Sequence, residues 1–162
     1  MRVLVTSDTH IGGSRRGRTL PKGLLEAAGH ADRILHGGDV IDPDVLLELG
    51  AYAPVDSVAG NCDPLDGKHP VHTTVELGPV LVGMVHDPGP EQGRRARLRE
   101  RFRGCRAVVF GHTHLPVCQD EDGFLLLNPG SPTERRRAPF HSFAWLEIAD
   151  DGVVSAQIVR LA

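Results

Sequence analysis

The apolar positions of the chain fall into short blocks, and the early blocks stop abruptly at glycine or polar side chains. Arg2-Val3-Leu4-Val5-Thr6 is β-branched and apolar without polar alternation, the pattern of a strand buried on both faces, and it ends in Ser7-Asp8-Thr9-His10. Leu20-Pro21 opens a helix through about Ala28, with Leu24 and Leu25 toward the core. Arg33 to His36 is a second strand ending in Gly37-Gly38-Asp39, and a helix from about Asp42 to Leu49 follows, with Asp42 as N-cap, Pro43 in the first turn and Gly50 as its stop. Val55 to Ala59 is a third strand, ending in Gly60-Asn61-Cys62-Asp63. Strand, helix, strand, helix, strand predicts an α/β layer with its site at the carboxyl ends of the strands.

The pattern then changes. Pro64 to Pro70 reads as a loop, Val71 to Leu77 alternates like a half-exposed strand, Gly78-Pro79 is a hairpin turn, and Val80 to Val85 runs apolar into His86. Glu91 to Arg103 reads as an arginine-rich helix with Leu98 and Phe102 on one face at i and i+4. Ala107 to Phe110 is a buried strand delivering Gly111-His112-Thr113-His114, and in an extended segment His112 and His114 would point to one side. Four further strands follow, at Val117 to Gln119, Phe124 to Leu127, His141 to Ile148 and Val153 to Val159, with turns at Asp120 to Gly123 and Asp150 to Gly152. Two packed sheets with helices outside are the simplest architecture for this mixture, and nothing in the pattern divides residues 1–162 into more than one domain.

Composition narrows the class. A chain of 162 residues buries a core without disulfides, and a hydrophobic share of 40% and a charged share of 24% are ordinary for a soluble protein. No apolar run approaches the ~20 residues of a membrane helix, and the start lacks a signal peptide's apolar region, so a cytoplasmic protein is expected. Cys62, Cys105 and Cys118 include no Cys-x-x-Cys pair, which argues against a disulfide framework or zinc knuckle. A net charge of -3 gives no electrostatic case for a general nucleic-acid binder, and no membrane partner is expected. The arginines cluster at Arg15, Arg16 and Arg18, from Arg94 to Arg106, and at Arg135 to Arg137.

The residues at the strand ends carry the chemistry: Asp8, His10, Asp39, Asn61, His86, His112 and His114. Oxygen and imidazole donors without thiolate suit Mn, Fe, Zn or similar divalent ions. Seven donors exceed the needs of one tetrahedral ion; with one carboxylate bridging they suit two ions about 3.5–4 Å apart, the spacing used in phosphoryl chemistry.

Asp8-x-His10, Gly38-Asp39, Gly60-Asn61-x-Asp63, His86 and Gly111-His112-x-His114 together resemble the motif series of the calcineurin-like metallophosphoesterases. Gly60-Asn61-Cys62-Asp63 and Asn128-Pro129-Gly130-Ser131 resemble the short YfcE-like phosphodiesterase branch in particular. The resemblance spans residues 8–131 and implies a metallophosphoesterase-like four-layer α/β/β/α fold. It also implies a metal-dependent phosphodiesterase in which Asp8, His10, Asp39 and His114 hold one ion while Asn61, His86 and His112 hold a second that shares Asp39. Manganese is the first choice of metal, with Fe, Zn, Ni and Mg as alternatives, and Asp39, Asn61 and His112 are assigned to catalysis on a small phosphoester substrate. Arg15, Arg16, Asn61 and Arg135 are assigned to the substrate phosphate, and Cys62 and Asp63 to support of the ligands. A homo-oligomer is left open.

Two departures from the family pattern stand out. Many relatives carry a histidine able to protonate the leaving group where this chain has Cys62, here read as a small buried residue. After His86 the branch continues Gly-His, whereas this chain has Asp87-Pro88, so the loop takes another path. His36 is read as packed behind the site, and Thr9 and Thr113 as serving the backbone. The competing function is a non-catalytic protein-binding scaffold on the same fold, which the scaffold subunit of the retromer coat resembles; a nuclease is disfavoured by length and charge.

Overall fold

A computed structural model describes residues 1–13, 17–64 and 67–162. In chain order the elements are β1 (Arg2–Thr6), α1 (Lys22–Ala28), β2 (Arg33–His36), α2 (Asp44–Gly50), β3 (Val55–Ser57), β4 (His72–Leu77), β5 (Val80–Val85), α3 (Arg94–Arg101), β6 (Ala107–Val109), β7 (Val117–Glu121), β8 (Phe124–Asn128), β9 (Ser142–Ile148) and β10 (Val154–Arg160). They form two five-stranded sheets, ordered β10-β9-β1-β2-β3 and β4-β5-β6-β8-β7.

The period of two along each strand sorts side chains between layers. Val3 and Val5 of β1 face the second sheet, where they meet Val82 and Met84 of β5 and Ala107 and Val109 of β6 in the central core. Leu4 of the same strand faces outward, where Leu24 and Ala28 of α1 and Val45 and Leu49 of α2 cover it. Across the molecule Val108 and Leu126 turn outward to Leu98 and Phe102. The result is the expected α/β/β/α stack. Gly83 of β5 makes the last contact possible, because a Cβ there would lie 2.4 Å from the Phe102 ring.

Element boundaries moved where backbone conformation overrides composition. The helix expected from Glu91 begins at Arg94, because Gly93 is left-handed (φ 70°) and breaks the helical run. The strand expected to stop at Gln119 runs to Glu121, with Asp122 (φ 49°) and Gly123 (φ 69°) as a two-residue turn into β8. Asp42 sits just ahead of α2 and its carboxylate accepts from the Asp44 amide at 3.1 Å, while Pro43 occupies the cap position itself.

The arginine-rich segment is spent on the fold. Arg95 donates to the carbonyls of Phe124 and Gln119, Arg97 to those of Pro88, Pro90 and Gln92, and Arg99 to that of Asp122; Arg106 pairs with Asp120. These contacts fix the Asp87-Pro88 loop and the β7–β8 hairpin. Those four arginines are thereby engaged within the fold rather than held open to an anion. No helix among the described residues is long and apolar enough to cross a membrane.

Candidate metal centre

Strands β1, β2 and β3 are parallel to one another, as are β5, β6 and β8, so their carboxyl ends deliver loops to a common edge. The chain must turn sharply there. Asp8, His10, Asp39, His112 and His114 all hold left-handed backbone, with φ of 56°, 45°, 57°, 67° and 60°. Each such residue costs on the order of 1–3 kcal/mol unless the surroundings enforce it. The surroundings here include Asp8 N–H to Gly38 C=O (2.9 Å), His10 N–H to Asp39 C=O (3.0 Å) and Thr113 N–H to Gly111 C=O (2.8 Å). Glycine is required beside them: a Cβ on Gly111 would lie 2.0 Å from Ser7 Oγ and 2.6 Å from Asp8 Oδ2.

This backbone corrects the extended reading of Gly111 to His114. His112 and His114 are both left-handed, and their rings go to two places rather than one. His114 turns inward, its Nε2 3.2 Å from Asp8 Oδ1 and 3.1 Å from His10 Nε2. His112 faces outward, its Nδ1 2.8 Å from Asn61 Oδ1.

The inner group is fully buried. Asp8, His10 and His114 have no exposed surface, and His10 Nε2 lies 3.8 Å from Asp8 Oδ1 and 3.5 Å from Asp39 Oδ2. The outer group is more open: His86 Nε2 lies 3.4 Å from Asp39 Oδ2, 3.9 Å from Asp8 Oδ1 and 3.2 Å from Asn61 Oδ1, while Asn61 is exposed and His112 half-buried. Asp39 Oδ2 thus touches both groups. All seven donors expected from sequence converge here, His86 included despite its altered following loop.

The donor chemistry fits divalent cations. His114 Nδ1 donates to the Glu134 carbonyl and His86 Nδ1 to the Gly37 carbonyl (2.7 Å), so a neutral ring at either position presents an Nε2 lone pair to the cluster. Those lone pairs face carboxylate oxygens, and that of His114 also faces His10 Nε2, an arrangement that calls for positive charge among them. In the metal-free chain a proton on His86 helps: burial alone would lower its pKa, but its hydrogen bond to Asp39 and the charges of Asp8 and Asp39 outweigh burial and raise it. The same contact, with the Cys62 amide and the charge of His10, overcomes burial to hold Asp39 far below the usual carboxylate range. His10 moves the other way, lowered by burial against the attraction of Asp39 and Asp8. Three-donor groupings able to hold an ion are Asp8-His10-His114, Asp8-Asp39-His86 and His10-Asp39-Cys62, the donor atoms of each within 4.8 Å of one another.

The supporting residues were only partly anticipated. Asp63 binds backbone rather than imidazole: its carboxylate accepts from the amides of Asp39 (2.9 Å), Ile41 (2.7 Å) and Gly60 (2.7 Å), fixing the turn that presents Asp39. His36 does lie behind the site, buried and held near pKa 4 by burial, with its ring against Thr9 Oγ1 and the Gly38 amide. Asn128 donates to the Gly111 carbonyl, and Ser131 Oγ donates to the Asp8 carbonyl while accepting from the Glu134 amide. Asn128-Pro129-Gly130-Ser131 is therefore the brace between the Asp8 and His112 loops. A polar quartet interrupting an apolar pattern was the available signal for it. Ser7, which donates to Asp8 Oδ2 at 2.7 Å, had none.

One reading changes. Cys62 is exposed at the site mouth, not a small buried residue, with its amide on Asp39 Oδ1 at 2.8 Å. Arg135 turns its guanidinium toward the Ala138 and Pro139 carbonyls of its own loop. Beside it Arg18 and Arg136 lie 3.4 and 3.7 Å from the Glu134 carboxylate, which acts electrostatically on His10. Arg15 and Arg16 fall outside the described residues.

Comparison with known proteins gives the site its context. The chain is 37% identical over 139 residues to a probable metallophosphoesterase of Methanothermobacter thermautotrophicus, covering 84% of this chain and 80% of that protein. A probable metallophosphoesterase of Methanocaldococcus jannaschii is 37% identical over 153 residues, covering 93% and 77%. The structure of wild-type Vps29 from Entamoeba histolytica complexed with zinc matches with a TM-score of 0.78 at 24% identity, over 99% of both chains, a likeness of fold. The model of the calcineurin-like phosphoesterase superfamily domain matches residues 1–151, and the chain belongs to that superfamily.

Proposed function

We propose that the chain is a phosphodiesterase that works with two divalent ions, manganese first among them. The observation that carries this reading is the shared carboxylate: Asp39 Oδ2 lies 3.5 Å from His10 Nε2 in the buried group and 3.4 Å from His86 Nε2 in the open one. Bound there, a pair of divalent ions supplies Lewis acidity that lowers the pKa of water and neutralises charge on phosphate. Asp8, His10 and His114 hold the inner position and exclude water from it. Asp39 joins the positions, and Asn61 and His112 stand on the solvent side, where a substrate phosphate arrives. Oxygen and nitrogen donors dominate both groups, which admits manganese along with iron and zinc.

The diester is preferred over the monoester on the resemblance to the short phosphodiesterase branch, and the pairing of three described arginines accords with it. Arg18 and Arg136 are paired with Glu134, and Arg135 is engaged with its own loop. A diester monoanion needs less cationic surface than a monoester dianion. The absence of a disulfide among Cys62, Cys105 and Cys118 accords with action in a reducing compartment such as the cytoplasm. A binding scaffold has no need of seven converging ligand-type side chains, which is the reason to prefer the enzyme. Purified protein supplied with manganese is expected to cleave an aryl phosphodiester faster than the matching monoester. Faster cleavage of the monoester would reassign the substrate class, and no turnover with any of Mn, Fe, Zn, Ni or Mg would overturn the reading.

A further inference from the structure

We infer that Cys62 is a sulfur ligand of this metal centre, binding the ion that His10 and Asp39 also touch. The inference rests on the reading that those two residues hold an ion, and goes beyond it by adding a soft donor to a set otherwise made of oxygen and nitrogen.

Three observations converge. Cys62 Sγ, a ring nitrogen of His10 and a carboxylate oxygen of Asp39 lie within 4.8 Å of one another. Metal–sulfur bonds of about 2.3 Å and metal–nitrogen or –oxygen bonds of about 2.0–2.2 Å put donors around one ion some 3–4 Å apart, so small side-chain rotations complete the triangle. Next, the Cys62 backbone is pinned by the carboxylate it would share the ion with: its N–H donates to Asp39 Oδ1 at 2.8 Å, while Oδ2 faces His10 and His86. Finally, Asn61 Nδ2 donates to Sγ at 3.4 Å, which holds the sulfur beside another residue assigned to the metal centre. Cys62 is exposed whereas His10 and Asp39 are buried, so its sulfur would close the solvent side of that ion.

A sulfur donor here changes the chemistry expected of the position. In place of a side chain that protonates a leaving group, the chain has one that tightens the grip on thiophilic ions. Zinc, cobalt and cadmium gain relative to manganese and magnesium.

Cobalt titration of the reduced, metal-free protein tests this. Bound Co(II) gives visible d–d bands, and a sulfur ligand adds a near-ultraviolet charge-transfer band. The wild type is expected to show both, as are Cys105→Ser and Cys118→Ser. Cys62→Ser is expected to keep the visible bands and lose the near-ultraviolet one. Its zinc affinity is expected to fall at least about tenfold, the lower end of what losing even an outer partner of a ligand costs, with manganese affinity held within about twofold. Visible bands without the near-ultraviolet band in the wild type, or a band that survives in Cys62→Ser, would overturn the Cys62 assignment and leave the metal centre standing. If the wild type binds no cobalt, zinc or manganese at all, the metal centre falls, and the assignment with it.

Discussion

The buried and open halves of the site use the same side-chain types under opposite conditions. Asp8, His10 and His114 are sealed from solvent, and their loop is braced by Ser131 Oγ on the Asp8 carbonyl and by the Glu134 carbonyl on His114. Asn61, Cys62 and His112 face solvent, and Asn61 rests on contacts with its fellow donors. The inner half is preorganised at the cost of burying polar groups, among them His10 Nδ1, which has no hydrogen-bond partner among the described residues. The outer half keeps a path open for a phosphate. One carboxylate, Asp39, belongs to both.

Because Asp39 joins the halves, its loss should produce the largest effect. Asp39→Asn is expected to lower kcat/KM by about a thousandfold or more, since both positions lose a negative ligand. Steady-state assays at saturating manganese would check this, and retention of a tenth of the activity would break the link between the halves.

The inner wall should show itself in acid. Burial, outweighing the attraction of Asp63 and Asp8, takes His36 from 6.5 to about 4. The unfolded chain therefore takes up this proton first as pH falls. The associated stability is complete above about pH 6.5 and is lost progressively toward pH 4, on the order of 3 kcal/mol in all. Urea denaturation of the metal-free protein across that window should show a slope that His36→Gln reduces, and an unchanged slope would remove His36 as its source.

The shared carboxylate's support is a smaller lever. Asp63→Asn withdraws acceptor capacity from three amides that position Asp39, and metal affinity should fall about 10–100-fold with the ligands intact. Titration calorimetry would read this. Smallest of all, alanine at Arg135 or Arg136 on the open rim is expected to raise KM for a diester only a few-fold at constant kcat. No change at either would remove this loop from substrate binding.

How much of this was legible follows from which constraints are local. The strands could be read because Val3-Leu4-Val5 and Ala107-Val108-Val109 bury both faces, and the ligand residues because each stands where such a run stops. The assignment of Asp8, His10 and His114 to one group followed from their motifs, and the structure brings them together. What could not be read depends on contacts distant in sequence. Asp63 carries no local sign that it would bind amides on a loop more than twenty residues earlier. Left-handed backbone at His112 and His114 is invisible to a two-residue alternation rule, which is why a rule for extended chain aimed both rings at one place. The exposure of Cys62 likewise depends on where the turn after Gly60 points, and cysteine's usual preference for the interior misplaced it.

The central claim is that the site is two metal positions of unequal burial joined through Asp39, and metal stoichiometry tests it most directly. Elemental analysis after manganese loading and gel filtration should find two ions per chain in the wild type. His112→Ala should lose the ion of the open half and keep the buried one, and His114→Ala should lose the buried one and keep that of the open half. One ion per wild-type chain, or loss of both ions in each single variant, would contradict the account.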